Sequence, residues 1–347
     1  MKSTATHLRL KSGWYLDQPV LPIWLVGLIT AYLVVVIAAV MASPPNLGRL
    51  SSDTTTSQPT PAKTPTPKAS PAVVPPTPAP APAARIETYN QDLKPDPGLQ
   101  QILDNYNGST PPSGVVVLDN TDKIYAAIEP EQIRSAASLY KLFVAREIYD
   151  FRAQGKLSFD QPLTVTQEAA SQDNNNVNDL LVGATISISD CMQRMIAVSD
   201  NTCGFLLGGI IGWNNVNETL HVRGYNQTSL GSEQLTSAGD VGLLLRRVAN
   251  RQMVDKQSSG ELETILFQQQ LNDGLPALLP SGAVGHKTGE LNGLVHDAGI
   301  VHAKDKTYEI VVMSGPWSSV DKANSSIAAL SLEVYNYIIK YKPAPGQ

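Results

Sequence analysis

The sequence predicts an α+β domain whose five-stranded antiparallel sheet is drawn from both ends of one chain segment, flanked by helices and interrupted by an all-helical insertion. Two strand patterns open the segment, helical patterns fill its middle, and three strand patterns with one helix close it. A sheet built from both ends is the economical way to bury elements in that order. Composition marks where the segment begins. Of the 25 prolines, 14 fall in residues 44–97, leaving residues 98–347 as the part able to build a sizeable core.

Residues 114–119 (GVVVLD) and 123–128 (KIYAAI), joined by the turn formers 120–122, form a hairpin pattern. Residues 139–154 carry apolar side chains at Leu142, Phe143, Ala145, Ile148 and Tyr149, a helix whose first turn begins at Ser138. Two apolar segments, 190–197 and 202–211, are interrupted by Ser199-Asp200-Asn201 and read as helix, loop, helix. Ser237 and Asp240 have the capping-box spacing before the apolar run 241–248, with Asp replacing the usual Glu. Residues 284–290, 298–302 and 308–314 then read as strands, and 327–341 as the closing helix.

The residues before this segment predict topology. Residues 23–42 are apolar over the roughly 20 positions that span a bilayer core. Lys2, Arg9 and Lys11 precede them, and no charge follows until Arg49. The positive-inside bias then puts residues 1–20 in the cytoplasm, makes 21–43 a transmembrane anchor, and places the rest outside the cell membrane. A cleaved signal ending at Ala42 is the alternative, although secretory apolar cores usually run only about 7 to 15 residues. Residues 44–97, rich in Pro, Ala and Thr, cannot bury enough apolar area to offset their ordering entropy, so they read as an extended, disordered stalk.

Charge excludes one class of partner. The net charge is -5, and residues 98–347 hold 18 basic against 26 acidic residues, which argues against nucleic acid. Two cysteines, Cys191 and Cys203, and five histidines offer neither a disulfide scaffold nor a zinc-site spacing, so no metal or other cofactor is implied. The two thiols are either bridged or buried free.

The chemistry begins at Ser138-Leu139-Tyr140-Lys141. At this SxxK spacing the hydroxyl and the amine share a helix face, and a lysine desolvated beside a serine can take its proton. Alone, the tetrad is weak, because Ser319 to Lys322 has the same spacing in a surface turn. Ser138's tetrad is followed, in order, by Ser199-Asp200-Asn201 and Lys287-Thr288-Gly289, each present once. The trio SxxK, SDN and KTG resembles that of class A β-lactamases and penicillin-binding proteins.

The resemblance implies the β-lactamase-like fold over residues 98–347 and assigns roles. Ser138 is the acylated nucleophile, Lys141 its proton acceptor, and Ser199 the relay to the leaving nitrogen. Lys287 adds positive potential beside Ser199. Asn201 holds the substrate amide, Thr288 its carboxylate, Gly289 gives it close approach to the strand, and the amides of Ser138 and Glu290 form the oxyanion hole. Asp200 fixes the loop. One departure stands out: Ser199 and Lys287 are 88 residues apart, against about 100 in class A enzymes. The short stretch 223–236 replaces the loop that carries their deacylating glutamate, with Glu233 its single carboxylate. His286 and His296 flank the third motif, as carboxylate binders or as plain packing residues, and Asp297 resembles a recurrent family aspartate. The expected function is a membrane-anchored serine hydrolase acting on β-lactams, slowly, or on D-Ala-D-Ala-like stem peptides of peptidoglycan. A D,D-carboxypeptidase or penicillin-binding enzyme and a non-catalytic peptidoglycan-binding module are the alternatives. The sequence does not fix the oligomeric state.

Overall fold

The computed structural model describes residues 94–119, 125–172 and 179–341. The expected anchor and almost all of the stalk lie outside them. Among the described residues, no helix is long and apolar enough to cross a membrane.

Helix α1 (Pro97–Ser109) opens the domain. Asp96 caps it by accepting the Leu99 amide at 2.9 Å, and Pro97 fills a first-turn position whose missing N–H costs nothing. The last proline counted with the stalk is therefore helical. Strands β1 (Ser113–Asp119) and β2 (Tyr125–Ile128) follow as an antiparallel pair. A two-residue strand β3 (Arg134–Ser135) leads into a 3-10 turn (Ala137–Leu139) and helix α2 (Tyr140–Ala153). Residues 141–150 of α2 are all buried, so this helix is the pillar of the insertion.

Around it stand a small pair, β4 (Pro162–Thr164) with β5 (Thr185–Ser187), and the short α3 (Gln167–Ala170). Helices α4 (Ile188–Ala197), α5 (Asn201–Ile211) and α6 (Trp213–Val222) come next. Strand β6 (Leu235–Thr236) pairs with β3, and α7 (Ala238–Ala249) and α8 (Lys256–Leu266) complete the insertion. The chain then returns to the sheet as β7 (Val284–Leu291), β8 (Leu294–Ala303) and β9 (Lys306–Ser314), and ends in α9 (Val320–Lys340).

The sheet order is β2-β1-β9-β8-β7, antiparallel at every pairing and drawn from both ends of the domain, as the element order predicts. Both of its faces are covered, which is why β1 reads as an unbroken apolar run rather than an alternation. Val115 and Val117 pack with Leu99, Leu103, Ile327 and Val334 of α1 and α9. Val116 and Leu118 pack instead with Phe143, Ile148 and Leu244 of the insertion. Each such fully buried side chain contributes ~1.5–3 kcal/mol before entropy is counted. β7 is left at the edge, facing the insertion, and there the motifs gather.

Three local expectations are corrected. β8 begins four residues before the expected strand, because a tight turn at Asn292-Gly293, both at positive φ, brings the chain back at once, and α9 begins seven residues before the expected helix, directly after Ser319. The Ser237 hydroxyl accepts the Asp240 amide at 3.1 Å as a capping box requires. The Asp240 carboxylate does not complete the box, and takes the Gln227 amide and the Thr228 hydroxyl instead.

Candidate active site

Strand β3 and the 3-10 turn place Ser138 against the edge of β7. A side chain on Gly289 would bring its Cβ to 3.2 Å from the Ser138 amide nitrogen and 3.4 Å from the Ala136 carbonyl. The first, like the 3.3 Å approach to Ala137 Cβ, is tighter than ordinary contact, so glycine is what lets the two segments close. The Ala136 amide donates to the Gln234 carbonyl at 2.7 Å, and Ala137 sits at φ 41. Non-glycine residues adopt that left-handed region at a cost of roughly 1–2 kcal/mol. The turn keeps this conformation because its flanks are paired on both sides.

The loop between α4 and α5 supplies the second motif. Asp200 caps α5 through the Cys203 amide at 3.0 Å and accepts Arg194 Nε at 2.8 Å, so its role is to fix the loop. Ser199, 4 % exposed, takes φ 59 and turns its hydroxyl inward between two ammonium groups. Lys287 Nζ donates to Ser199 Oγ at 2.9 Å. Lys141 Nζ reaches the same oxygen at 3.2 Å, the Ser199 carbonyl at 2.6 Å and Asn201 Oδ1 at 2.6 Å. Its hydrogen bonds thus run to the SDN loop rather than to the Ser138 hydroxyl that helical spacing suggested.

Burial governs both lysines. Neither is exposed to solvent. Desolvation lowers the Lys141 pKa to about 7, with the charges of Asp200 and Cys203 pulling the other way. Lys287 is pushed well below its ordinary value, first by burial and then by the nearby Lys141, while Asp297 opposes the shift. An amine that is half deprotonated near neutral pH is a base able to accept a proton from a hydroxyl.

The remaining expected residues divide. Thr288 is half-buried and Glu290 exposed on β7. Glu233 is exposed on the 223–236 stretch, which is held by Asn217 through the Leu230 amide at 2.8 Å and carbonyl at 2.9 Å. His286 is buried beside Asp297, Nδ1 to Oδ1 at 2.7 Å, with Asn272 Oδ1 at 3.0 Å from its other nitrogen. His296 is 2 % exposed. Both histidines therefore pack inside the domain. Cys191 and Cys203 are buried free thiols. In the second SxxK tetrad, Ser319 stands at the N-terminus of α9 without a side-chain capping bond, and Lys322 is exposed. Sequence reasoning missed Gly204, where a Cβ would lie 3.0 Å from Lys141 Cε and 2.7 Å from the Tyr140 hydroxyl. Its place one turn after Asp200, in the first turn of the helix that Asn201 opens, is the signal. Among the described residues, no group of three or more His, Cys, Asp and Glu could hold a metal.

A sheet edge carrying KTG, a buried SxxK lysine and an SDN loop between them define the class: a β-lactamase-like serine hydrolase fold. Residues 95–338 match the model of the Beta-lactamase enzyme family, and the chain belongs to that family. Among solved structures, PBP-A aligns with TM-score 0.67 at 21% identity, covering 72% of this chain and 98% of that one. A variant of PBP-A, determined as its acyl-enzyme complex with penicillin G, aligns equally well, at TM-score 0.67 and 21% identity over 72% of this chain and 99% of that one. A β-lactamase from Sphaerobacter thermophilus DSM 20745 gives TM-score 0.65 at 17% identity over 71% of this chain and 98% of that one. At these identities the likeness establishes the fold. No curated protein sequence gives a significant match.

Proposed function

We propose that this chain is a membrane-anchored serine hydrolase acylated at Ser138 by β-lactams or D-Ala-D-Ala-like peptides, with slow release of the acyl group. The observation that carries the reading is the shared Ser199 hydroxyl, bonded by Lys287 at 2.9 Å and by Lys141 at 3.2 Å. A proton can pass along that chain without leaving the pocket. Lys141 as the free amine takes the Ser138 proton while Oγ adds to the substrate carbonyl. The oxyanion forms against the Ser138 and Glu290 amides, preorganised donors of the kind worth about 100- to 1,000-fold each. When the carbonyl re-forms, the C–N bond breaks, and Ser199 donates its proton to the leaving nitrogen and regains one from the lysines. Asn201 and Thr288 orient the substrate amide and carboxylate.

Slow deacylation rests on the carboxylates. Asp200 is committed to Arg194 and the Cys203 amide, and Glu233 is exposed. Lys141 is then the base left for water. PBP-A, a penicillin-reactive protein in the form of its variant's acyl-enzyme, supports the same substrate class here. The apolar segment 23–42 and the basic residues before it support a single-pass anchor with the domain outside, and the 44–97 stretch supports a spacer. The test is intact-protein mass spectrometry after mixing with penicillin G. One adduct that persists for minutes and is absent in Ser138→Ala is expected; an adduct retained by Ser138→Ala overturns the assignment.

A further inference from the structure

His296 makes two hydrogen bonds, both to backbone. Its Nδ1 lies 3.2 Å from the Ser314 amide nitrogen, and its Nε2 lies 3.0 Å from the Ser135 carbonyl oxygen. These partners settle the tautomer. An amide N–H can only donate, so Nδ1 is the acceptor and carries no proton; Nε2 then holds the hydrogen and donates it to Ser135. The neutral ring is the form that satisfies both, and burial lowers its pKa in the same sense, opposed by the Ser135 and Val295 backbone and aided last by the charge of Arg134.

The position of this ring matters more than its bonds. His296 pairs with Gly289 across β7 and β8, and side chains of directly paired residues share a sheet face. The face of Gly289 is the one against Ser138, where the missing side chain lets the amide approach. His296 therefore reaches past Gly289 from the next strand and grips Ser135, three residues before the nucleophile. It is anchored behind by Ser314 of β9, a central strand. The oxyanion hole needs two amides at a fixed separation, one on the turn after Ser135 and one on β7. β7 and β9 are both bonded to β8, so the imidazole ties the residue before the turn to the sheet that carries the second amide.

We infer that His296 is a positioning residue for the oxyanion hole, holding the Ser138 amide at its distance from β7 through the Ser135 carbonyl. The inference rests on the acyl-serine reading. Two variants separate the bonds of the ring. His296→Gln places an amide N–H near the Nε2 position and keeps the donor to Ser135; His296→Asn places its oxygen near the Nδ1 position, keeps the acceptor for Ser314 and loses the reach to Ser135.

The experiment measures the acylation rate constant and the apparent Kd for benzylpenicillin, together with the acyl carbonyl stretch by infrared difference spectroscopy. A tighter oxyanion hole polarises that carbonyl and lowers its frequency. The expected result is that His296→Asn acylates about 10-fold or more slowly with unchanged Kd, part of the about 100-fold lost on deleting a whole donor, and that its band moves to higher frequency. His296→Gln should recover most of both. The inference is overturned if the two variants behave alike, or if the rate falls with no movement of the band. Should His296→Asn not fold, His296→Met takes its place, and a band equal to that of His296→Gln overturns the inference. A wild-type protein that forms no acyl band refutes the acyl-serine reading and the role of His296 with it, whereas a normal wild-type band unmoved in His296→Asn refutes only the latter.

Discussion

Lys141 takes its properties from where its amine ends. Buried and donating to Ser199 and Asn201, it has a pKa lowered to about 7 by desolvation. If its free-base form accepts the Ser138 proton, acylation by penicillin should rise about tenfold per pH unit below 7 and level off above it, as stopped-flow measurements would show. A rate that falls with rising pH across that window would exclude the amine as base. The room for this amine is made by Gly204, where a Cβ would press on Lys141 Cε at 3.0 Å. Gly204→Ala should slow acylation at least about 10-fold, a modest part of the 100- to 10,000-fold that general base catalysis supplies. Its thermal stability should change little, since alanine returns up to about 1 kcal/mol of helix propensity. The three motifs were legible in the sequence because the chemistry requires those residue types at those spacings. Lys141's actual partners were not, since helical spacing states which face a side chain shares and not which of two hydroxyls lies closer. The two histidines stayed ambiguous for a similar reason: strand alternation gives a face, but not whether that face is covered.

Among the elements, the 223–236 stretch shows how a loop is held rather than how it reaches. Arg223 pairs with Asp150 of α2 at 2.5 Å, and Arg247 of α7 donates to the Arg223 carbonyl at 2.7 Å. Further along, Asn217 and Asp240 clamp its backbone at Leu230 and Gln227. Glu233 is left outside these contacts and exposed. Glu233→Gln should therefore leave the lifetime of the acyl-enzyme unchanged within about twofold by time-resolved mass spectrometry, whereas a general base would cost at least about 100-fold. Sequence reasoning found the five strands of the main sheet and helices α2, α4, α5, α7 and α9, but overlooked α1, α6 and α8 together with the short α3 and the two-stranded pairs β3–β6 and β4–β5. The start of α1 is written as Asp96-Pro97, a capping aspartate and a first-turn proline, yet it follows a proline-rich run that hides it. α6 begins from Gly212 at φ 74 with no side-chain cap, so it lacks the usual start signal. Asp255 does cap α8, taking the Ser258 amide at 2.7 Å, but the two serines and the glycine that follow weaken the helical pattern.

For the whole molecule, the burial of two lysines couples the site to stability. Lys141 ionises near 7 when folded and at its ordinary 10.5 when unfolded. Between those values the unfolded chain binds more protons, so stability should increase with pH from about 7 upward, by a few kcal/mol in all. Below 7 both states are protonated and the full cost of the buried charge is felt. Urea titrations at pH 7 and 9.5 should show wild type gaining on Lys141→Met as pH rises; equal gains would mean that the amine is not desolvated as described. The architecture was legible at this scale because strand patterns at both ends admit few arrangements that cover both sheet faces.

The pairing of β1 with β9 has a temporal consequence. Val116 lies opposite Val311, so the strand that completes the sheet is synthesised last. At the roughly 5–20 residues per second of translation, β1 waits about ten seconds or more with the edge that β9 will take unpaired. Closing so long a loop adds only weakly to the entropy cost, as the logarithm of its length, but it cannot happen before the C-terminal strands exist. Translation therefore delays commitment to the native state until the end of the chain has emerged.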